Sequence, residues 1–376
     1  MTAGSLQEKA GKLYAVLHLG NGKYKWKCTG LTIKGNKKKA QIFLDELIAE
    51  YDSKKVINVK KILFSVYIKN WLNDIKSSVE LSTWNGYEYI INKHVVPYFN
   101  DLNVSVQDLE PFQIQKYYNL KLEEGLSPNT VKHHHANIRK ALQDALMQNI
   151  IPYNVADRVK VPKCNTYQAK FYDVNQISQL LDLVKDTQIE TVILLTSFYG
   201  LRRSEVLGLK WSAINFSNNT LVINNTITNL GGIIEKERTK NKASHRTMPL
   251  AANIKKHLQL LNIKQKENRL LFGNEYIEND YICTWENGKI FSPDYVSHKF
   301  KEIIVSNNMP VIRFHDLRHS CASVLLAHNF DIKKIQAWLG HSSIATTGNI
   351  YAHIQHSSKV EIGNVLEKSL ENIRKY

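Results

Sequence analysis

Arg313-Phe314-His315-Asp316-Leu317-Arg318-His319 opens a predicted helix in the last third of the chain. His315 and Arg318 stand three residues apart and so share one helix face. An imidazole beside a guanidinium makes a donor pair for a phosphate. The arginine fork matches two phosphate oxygens and does not lose its proton. A His-x-x-Arg pair is also common on ordinary helix surfaces, so the pair alone assigns nothing.

Three other segments surround it. Upstream, Tyr199-Gly200-Leu201-Arg202-Arg203-Ser204-Glu205 spans the end of one predicted helix and the start of the next. Gly200 permits a tight turn. Arg202 falls in the first turn of the following helix, where free backbone N–H groups favour an anion. Glu205 can reach back as a capping or orienting carboxylate. An ordinary surface Glu–Arg pair would look the same. Thr239-Lys240-Asn241-Lys242 lies between strand candidates. A lysine in such a turn can swing toward a leaving oxygen as proton donor, and a solvated basic loop fits the residues equally well. Leu339-Gly340-His341 precedes the polar segment that ends in Tyr351. A phenol, with a pKa of about 10, attacks phosphorus only where cations stabilise the developing charge. The chain has 18 tyrosines, and physics alone does not select one.

Taken in order, these segments resemble the tyrosine recombinase family, also called the phage integrase family. The matching string is Gly200-Leu201-Arg202-x-x-Glu205, Thr239-Lys240 in a hairpin, His315-x-x-Arg318, Leu339-Gly340-His341, and Tyr351 ten residues later. The resemblance implies that Arg202 and Arg318 clamp the scissile phosphate. It implies that Lys240 protonates the leaving 5′ oxygen, that His315 moves a proton to or from Tyr351, and that His341 hydrogen-bonds the phosphate. Glu205 would support the site, and Tyr351 would form a 3′-phosphotyrosine bond. Arg203 neighbours Arg202, and only register after Gly200-Leu201 favours the latter. Lys242 shares a face with Lys240 if the segment is extended, so the choice between the two lysines stays open. This chemistry uses no cofactor, neither metal nor nucleotide.

The fold expected is multidomain and mainly α with small β elements. Residues 1–57 read as an arm-type DNA-binding domain: a three-stranded sheet (Leu13–Leu19, Lys23–Cys28, Leu31–Ile33) and a helix over Lys37–Tyr51. From Met1 to Lys60 there are twelve Lys against five Asp or Glu. Lys23, Lys25, Trp26 and Lys27 interleave basic and aromatic residues on what reads as the middle strand, which suits a DNA groove. Residues 58–165 read as a helical core-site DNA-binding domain. It has a helix over Ile62–Ile75, one capped by Ser82 and running to about Val95, and one opened by Ser127-Pro128. Ile151–Lys163 reads as a basic linker, with Lys160 and Lys163 joining Lys132 as DNA contacts. His133, His134 and His135 point about 100° apart on a helix and cannot converge on one metal ion; they read as surface residues. Residues 166–376 read as a mixed α/β catalytic domain. Its predicted helices begin at Val174, Ile189, Ser204, Ala252, Pro293, Asp316 and Ile332. Its predicted strands are Leu221–Asn224 and Arg246–Met248. An amphipathic tail over Val360–Ile373 follows, which in the family docks on a neighbouring protomer.

Composition agrees. Fifty Lys and Arg against 34 Asp and Glu leave a net charge of +16, which suits a polyanion. Cys28, Cys164, Cys283 and Cys321 are scattered, so neither a zinc knuckle nor a disulfide framework is indicated. Met1–Lys9 lacks an apolar signal core and no 18-residue apolar run occurs, which points to a cytoplasmic, DNA-facing protein without a membrane span. The partners implied are double-stranded DNA with core-type and arm-type sites, three further copies in a homotetramer, and an accessory excision factor. A type IB topoisomerase would share the active-site logic, and a regulator without catalysis would share the DNA binding. The basic N-terminal unit and the tail favour a recombinase over the first, and the full residue set argues against the second. Whether a conjugative transposon or a temperate phage carries it stays open.

Overall fold

The computed structural model describes residues 2–19, 22–56, 61–164, 170–229, 232–236 and 245–341. The chain divides into two compact units, Met1–Thr166 and Tyr167–Tyr376, and is mainly α-helical with small sheets.

In the first unit, strands Ala3–Lys9 (β1), Lys12–His18 (β2) and Tyr24–Thr32 (β3) form an antiparallel sheet in that order, with a helix over Lys37–Val56 (α1) against it. The sheet, the helix and the first expected strand (Leu13–Leu19, found as β2) are as expected, but the other two strands are not. Lys23–Cys28 and Leu31–Ile33 belong to one strand, and the ladder shifts register between Lys12 and Tyr14, near Gly30 with φ +76°. The third strand is β1, joined to β2 through Ala10 (φ +50°) and Gly11 (φ +74°). That pair of positive φ values is the hairpin geometry that matches strand twist, and an alanine in it hides the turn from a sequence reader. β3 is therefore an edge strand, not the middle one.

Strand alternation also splits the proposed DNA contacts. Lys25 lies over the Tyr51 ring and Lys27 over Phe43, both on the α1 side. Trp26 faces the other way, edge-on to Tyr14 and under the Lys9 ammonium. The small core between sheet and helix is built on Ala15, Leu17 and Leu44.

The helical part comprises Phe64–Asp74 (α2), Leu81–Ile90 (α3), Val96–Leu102 (α4), Pro111–Glu123 (α5) and Pro128–Met147 (α6). The Ser127 hydroxyl accepts from the Thr130 N–H, with Pro128 first in α6, as expected. Ser82, by contrast, lies inside α3; the N-cap is Glu80, and a π-helical turn over Ile91–Val95 leads into α4. The core gathers Phe64, Phe99, Tyr117 and Ile138, with the Phe64 and Phe99 rings edge-to-face at 4.8 Å. Burying side chains of this size contributes roughly 2–3 kcal/mol each. Ile151, Val155 and Ala156 join that core, so most of the expected linker is packed structure. His134 is fully buried on the Tyr117 hydroxyl and His135 is half-buried on that of Tyr118; of the three histidines only His133 is exposed.

The second unit contains Val174–Val184 (α7), Glu190–Tyr199 (α8), Arg203–Leu207 (α9), Ala252–Phe272 (α10), Pro293–Ser306 (α11), Asp316–Ala327 (α12) and Ile332–Leu339 (α13). Each corresponds to an expected helix, with ends moved by a few residues. Strands Ile214–Asn215 (β4), Thr220–Ile223 (β5) and Arg246–Pro249 (β8) form one sheet; Thr226–Asn229 (β6) and Ile233–Lys236 (β7) form another. β4, β6 and β7 were not foreseen, being two to four residues long and too short to show a period. Gly208, after α9, lies so close to the chain before β6 that a Cβ there would meet the Asn225 carbonyl oxygen at 2.7 Å. The expected tail helix over Val360–Ile373 falls outside the described residues.

Candidate active site

Two glycines bring the site together. Gly200 ends α8 with φ +61°, and a Cβ on it would lie 2.2 Å from Leu339 Cδ2. The bare Cα thus lets the end of α13 sit against the junction of α8 and α9. Gly340 (φ +68°) ends α13 and turns the chain into His341.

Arg202 is the N-cap of α9. Its backbone N–H donates to Glu205 Oε2 at 3.0 Å and its Nη1 to Glu205 Oε1 at 2.5 Å. Its Nη2 donates to the Gly340 carbonyl at 3.1 Å. Glu205 is 1% exposed and receives two more cations on Oε2: Arg246 Nη2 at 3.3 Å and Arg318 Nη1 at 3.9 Å. Burial pushes its carboxyl up. Arg246 and Arg202, then the Arg202 N–H and Arg318, reverse that and hold it below its ordinary value.

Arg318, on α12, is also 1% exposed. Its Nη1 donates to the Gly200 carbonyl at 2.6 Å and its Nε to His341 Nε2 at 3.0 Å. Its Nη2 is buried without a hydrogen-bond partner among the described residues. A buried N–H left unpaired is costly, so the group is set to receive an acceptor. Burial and the neighbouring Arg202 both oppose its charge.

Burial, then Arg318 and Arg202, bring the His341 imidazole down to about 3. It is therefore neutral near pH 7. Because its Nε2 accepts from Arg318, its proton belongs on Nδ1. His315 is the N-cap of α12 and is exposed. The protein around it, then His319 and Arg318, lower its imidazole as well. The described centre thus carries Arg202, Arg246 and Arg318 against Glu205 alone. Three positive charges and one negative leave a net +2 in a largely buried place. Such an excess attracts an anion and repels a metal ion. No group of three His, Cys, Asp or Glu that could hold a metal occurs among the described residues.

Of the residues foreseen, Arg202, Glu205, His315, Arg318 and His341 come together. Lys240, Lys242 and Tyr351 fall outside the described residues. Arg203 turns away from the cluster: its Nη1 donates to the Pro293 carbonyl at 3.0 Å and to Ser297 Oγ at 2.6 Å, with Asp294 at 3.7 Å. It lines instead an open basic cleft of about 760 Å³ with Lys170, His298, Lys301, Arg313 and His315. Arg246 was missed as a site residue. The signal was a charged residue on the inward-facing phase of a strand, where Arg246 and Met248 are buried and Thr247 and Pro249 exposed. Lys23, Lys132, Lys160 and Lys163 are all exposed. Among the described residues, no helix is long and apolar enough to cross a membrane.

Residues 170–358 match the family model described as "Phage integrase family", and residues 63–122 match "Phage integrase, N-terminal SAM-like domain". The chain is 25% identical to a tyrosine recombinase XerC-like protein of Caldanaerobacter subterraneus, covering 88% of this chain and 90% of that one. It is 24% identical to the ICEBs1 integrase of Bacillus subtilis, covering 90% and 92%. Among solved structures, its fold is similar to that of the Tn1549 transposon integrase in complex with circular intermediate DNA, with TM-score 0.66 and 17% identity over 80% of this chain and 99% of that one. It is also similar to a lambda integrase dimer bound to a core site, with TM-score 0.60 and 14% identity over 92% and 93%.

Proposed function

The chain belongs to the phage integrase family, and on that premise we propose that it is a site-specific DNA recombinase that integrates and excises a mobile genetic element. It is an enzyme of the tyrosine recombinase type. One observation supports the reading above the rest: among the described residues three guanidiniums meet one carboxylate in a buried centre, with Arg318 Nη2 without a hydrogen-bond partner there. A phosphodiester brings acceptor oxygens for Arg318 Nη2 and negative charge to offset the excess of guanidiniums among the described residues.

In the proposed reaction, Arg202 and Arg318 hold the non-bridging oxygens. The Tyr351 hydroxyl oxygen forms a bond to phosphorus while the P–O5′ bond breaks. Lys240, or Lys242, gives its proton to the 5′ oxygen, and His315 takes the phenol's proton. His341 orients Arg318 and completes the phosphate's hydrogen bonds. A 3′-phosphotyrosine link retains the energy of the broken bond, so a second strand's 5′ hydroxyl rejoins DNA by the reverse attack with no cofactor. The charge stabilisation that metals give many nucleases comes here from arginines.

The partner is double-stranded DNA. Lys132, Lys160 and Lys163 are proposed to meet core-site phosphates, and Arg203 acts through the basic cleft it lines. Lys23, Lys25, Trp26 and Lys27 are proposed for an arm site, with Trp26 on the face opposite the two α1-side lysines. Four protomers would assemble on paired sites, assisted by an accessory excision factor, in a bacterial cytoplasm and nucleoid. The tail over Val360–Ile373 would dock in trans. An apolar groove of about 500 Å³, lined by residues that include Val174, Ile177, Leu194, Phe198 and Trp338, supports that docking. The deciding experiment incubates the protein with a nicked suicide substrate and looks for a covalent DNA adduct. The parent should form it and Tyr351→Phe should not, while both bind the DNA. An adduct that persists in Tyr351→Phe would remove the proposed nucleophile.

A further inference from the structure

The roles proposed for Arg202, Arg318, His315 and His341 leave the third guanidinium, Arg246, without one. Arg246 is 9% exposed, and its Nη2 donates to Glu205 Oε2. Burial opposes its charge, and Glu205 offsets this. An arginine in such a place is costly unless a partner compensates its charge.

Its position in the chain suggests why it is there. Arg246 is the first residue of β8, directly after the segment that holds Lys240 and Lys242. The strand before that segment, β7, pairs with β6, whereas β8 pairs with β5. The two roots of the lysine segment therefore stand in different sheets. The β5–β8 ladder begins at Arg246, opposite Ile223. Among the described residues Arg246 is thus the first ladder-held residue after the lysines, with its backbone on β5 and its side chain on Glu205. Glu205 in turn holds Arg202. An extended chain covers about 3.5 Å per residue, so the sequence separation allows Lys242 a reach of at most about 14 Å from that root and Lys240 about 21 Å. Where the root sits decides whether an ammonium reaches the phosphate clamp.

We propose that Arg246 is a positioning residue for the proton donor: its salt bridge to Glu205 roots the lysine segment at the arginine cluster. The inference rests on the recombinase reading above. In this role Arg246 acts through the lysine rather than on the reacting atoms. As the Tyr351 oxygen bonds to phosphorus and the P–O5′ bond breaks, the lysine's proton goes to O5′, and Arg246 sets the distance over which it travels. If Arg246 served only to neutralise Glu205, its loss would misplace Arg202 and damage the clamp instead.

A bridging sulfur at the 5′ position separates these roles. A thiol ionises at about 8.5, so a sulfur leaving group departs without a donated proton. The experiment compares adduct formation on oxygen and on 5′-bridging-sulfur suicide substrates for the parent, Lys240→Met, Lys242→Met, Arg246→Met and Arg246→Lys. Arg246→Met should slow adduct formation on oxygen DNA by about 100-fold and return to within about threefold of the parent on sulfur DNA, like the lysine variant that removes the donor. Arg246→Lys keeps the charge and can reach Glu205, so it should show a smaller loss with the same rescue. It decides the question if thermal melting shows Arg246→Met to be unfolded. Equal losses on both substrates, or no loss on either, would overturn the inference alone. Failure of sulfur to rescue both lysine variants would overturn the lysine role and the inference with it. A parent that forms no adduct on either DNA would overturn the recombinase reading itself.

Discussion

Arg318 donates its Nε–H to Nε2 of His341 at 3.0 Å, so a neutral imidazole orients a fully buried guanidinium. The acceptor on His341 is the part that matters. His341→Gln can present an amide oxygen to the same N–H, whereas His341→Leu leaves it unpaired. Adduct formation on a suicide substrate should fall by about 10-fold or less in the first and by about 100-fold in the second, as expected for a buried hydrogen bond to a charged group. Equal rates in the two variants would remove the orienting role. Because the His341 imidazole is held down to about 3, its own titration should leave no mark on the cleavage rate between pH 5 and pH 8.

Glu205 is the sole described carboxylate among three arginines. Glu205→Gln should lower stability by about 3–5 kcal/mol, the usual result of removing one member of a buried ionic cluster. Sulfate should then raise the melting temperature of the variant more than that of the parent, at matched ionic strength, because an anion replaces the missing charge. Differential scanning fluorimetry with sulfate and chloride series measures both effects.

Gly200 meets two constraints at once, a left-handed φ of +61° and the 2.2 Å approach of Leu339 to a virtual Cβ. Gly200→Ala should cost about 1–3 kcal/mol in backbone strain and overpacking together. It should also weaken cleavage more than DNA binding, since α13 carries Gly340 and His341 into the centre. Leu339→Ala is costly by itself, since Leu339 is fully buried, but it removes the clash, so it should cost less in the Gly200→Ala background than in the parent. Equal costs in the two backgrounds would show that the clash is not a constraint there.

The helical part of the first unit should weaken in mild acid. His134 is buried on Tyr117, with the His94 ring 5.0 Å away and Lys121 and His133 nearby. Burial, then His94 and Lys121, lower its imidazole to about 4. Its folded pKa lies below its unfolded value of about 6.5. Above that value both states are neutral and nothing changes. As pH falls from 6.5 toward 4 the unfolded chain takes up the proton first, and roughly 2–3 kcal/mol of stability is lost. Urea unfolding at pH 7.5, 6 and 4.5 should show the decline, and His134→Gln should flatten it.

Much of this was legible in the chain because helices announce themselves. Ser127-Pro128, with a capping serine and a proline at the first helical position, sets a helix start locally. Gly200, Arg202, Glu205, His315, Arg318 and His341 were readable for a similar reason: each sits at a helix end or one turn from it, where spacing translates directly into direction. The strands were harder. β1 is polar and closes through Ala10, and its place depends on β2 rather than on its own residues. The edge position of β3 is a fact about pairing, which no single strand records. Arg246 was overlooked because its partner, Glu205, lies 41 residues away. His134 was read as exposed because a run of three histidines looks polar until the neighbouring helix supplies Tyr117.

In the proposed reaction the spare N–H of Arg318 meets a group that every nucleotide carries in identical form. Nothing at that contact can tell one base pair from another, so the centre is blind to the letters of its target. Discrimination has to be exercised earlier, by the surfaces that grip the duplex. A protomer seated at the wrong place would be as well equipped to cut as one seated correctly. On the proposed function, safety would therefore depend on withholding the nucleophile until the full assembly has formed, rather than on the fit of the phosphate.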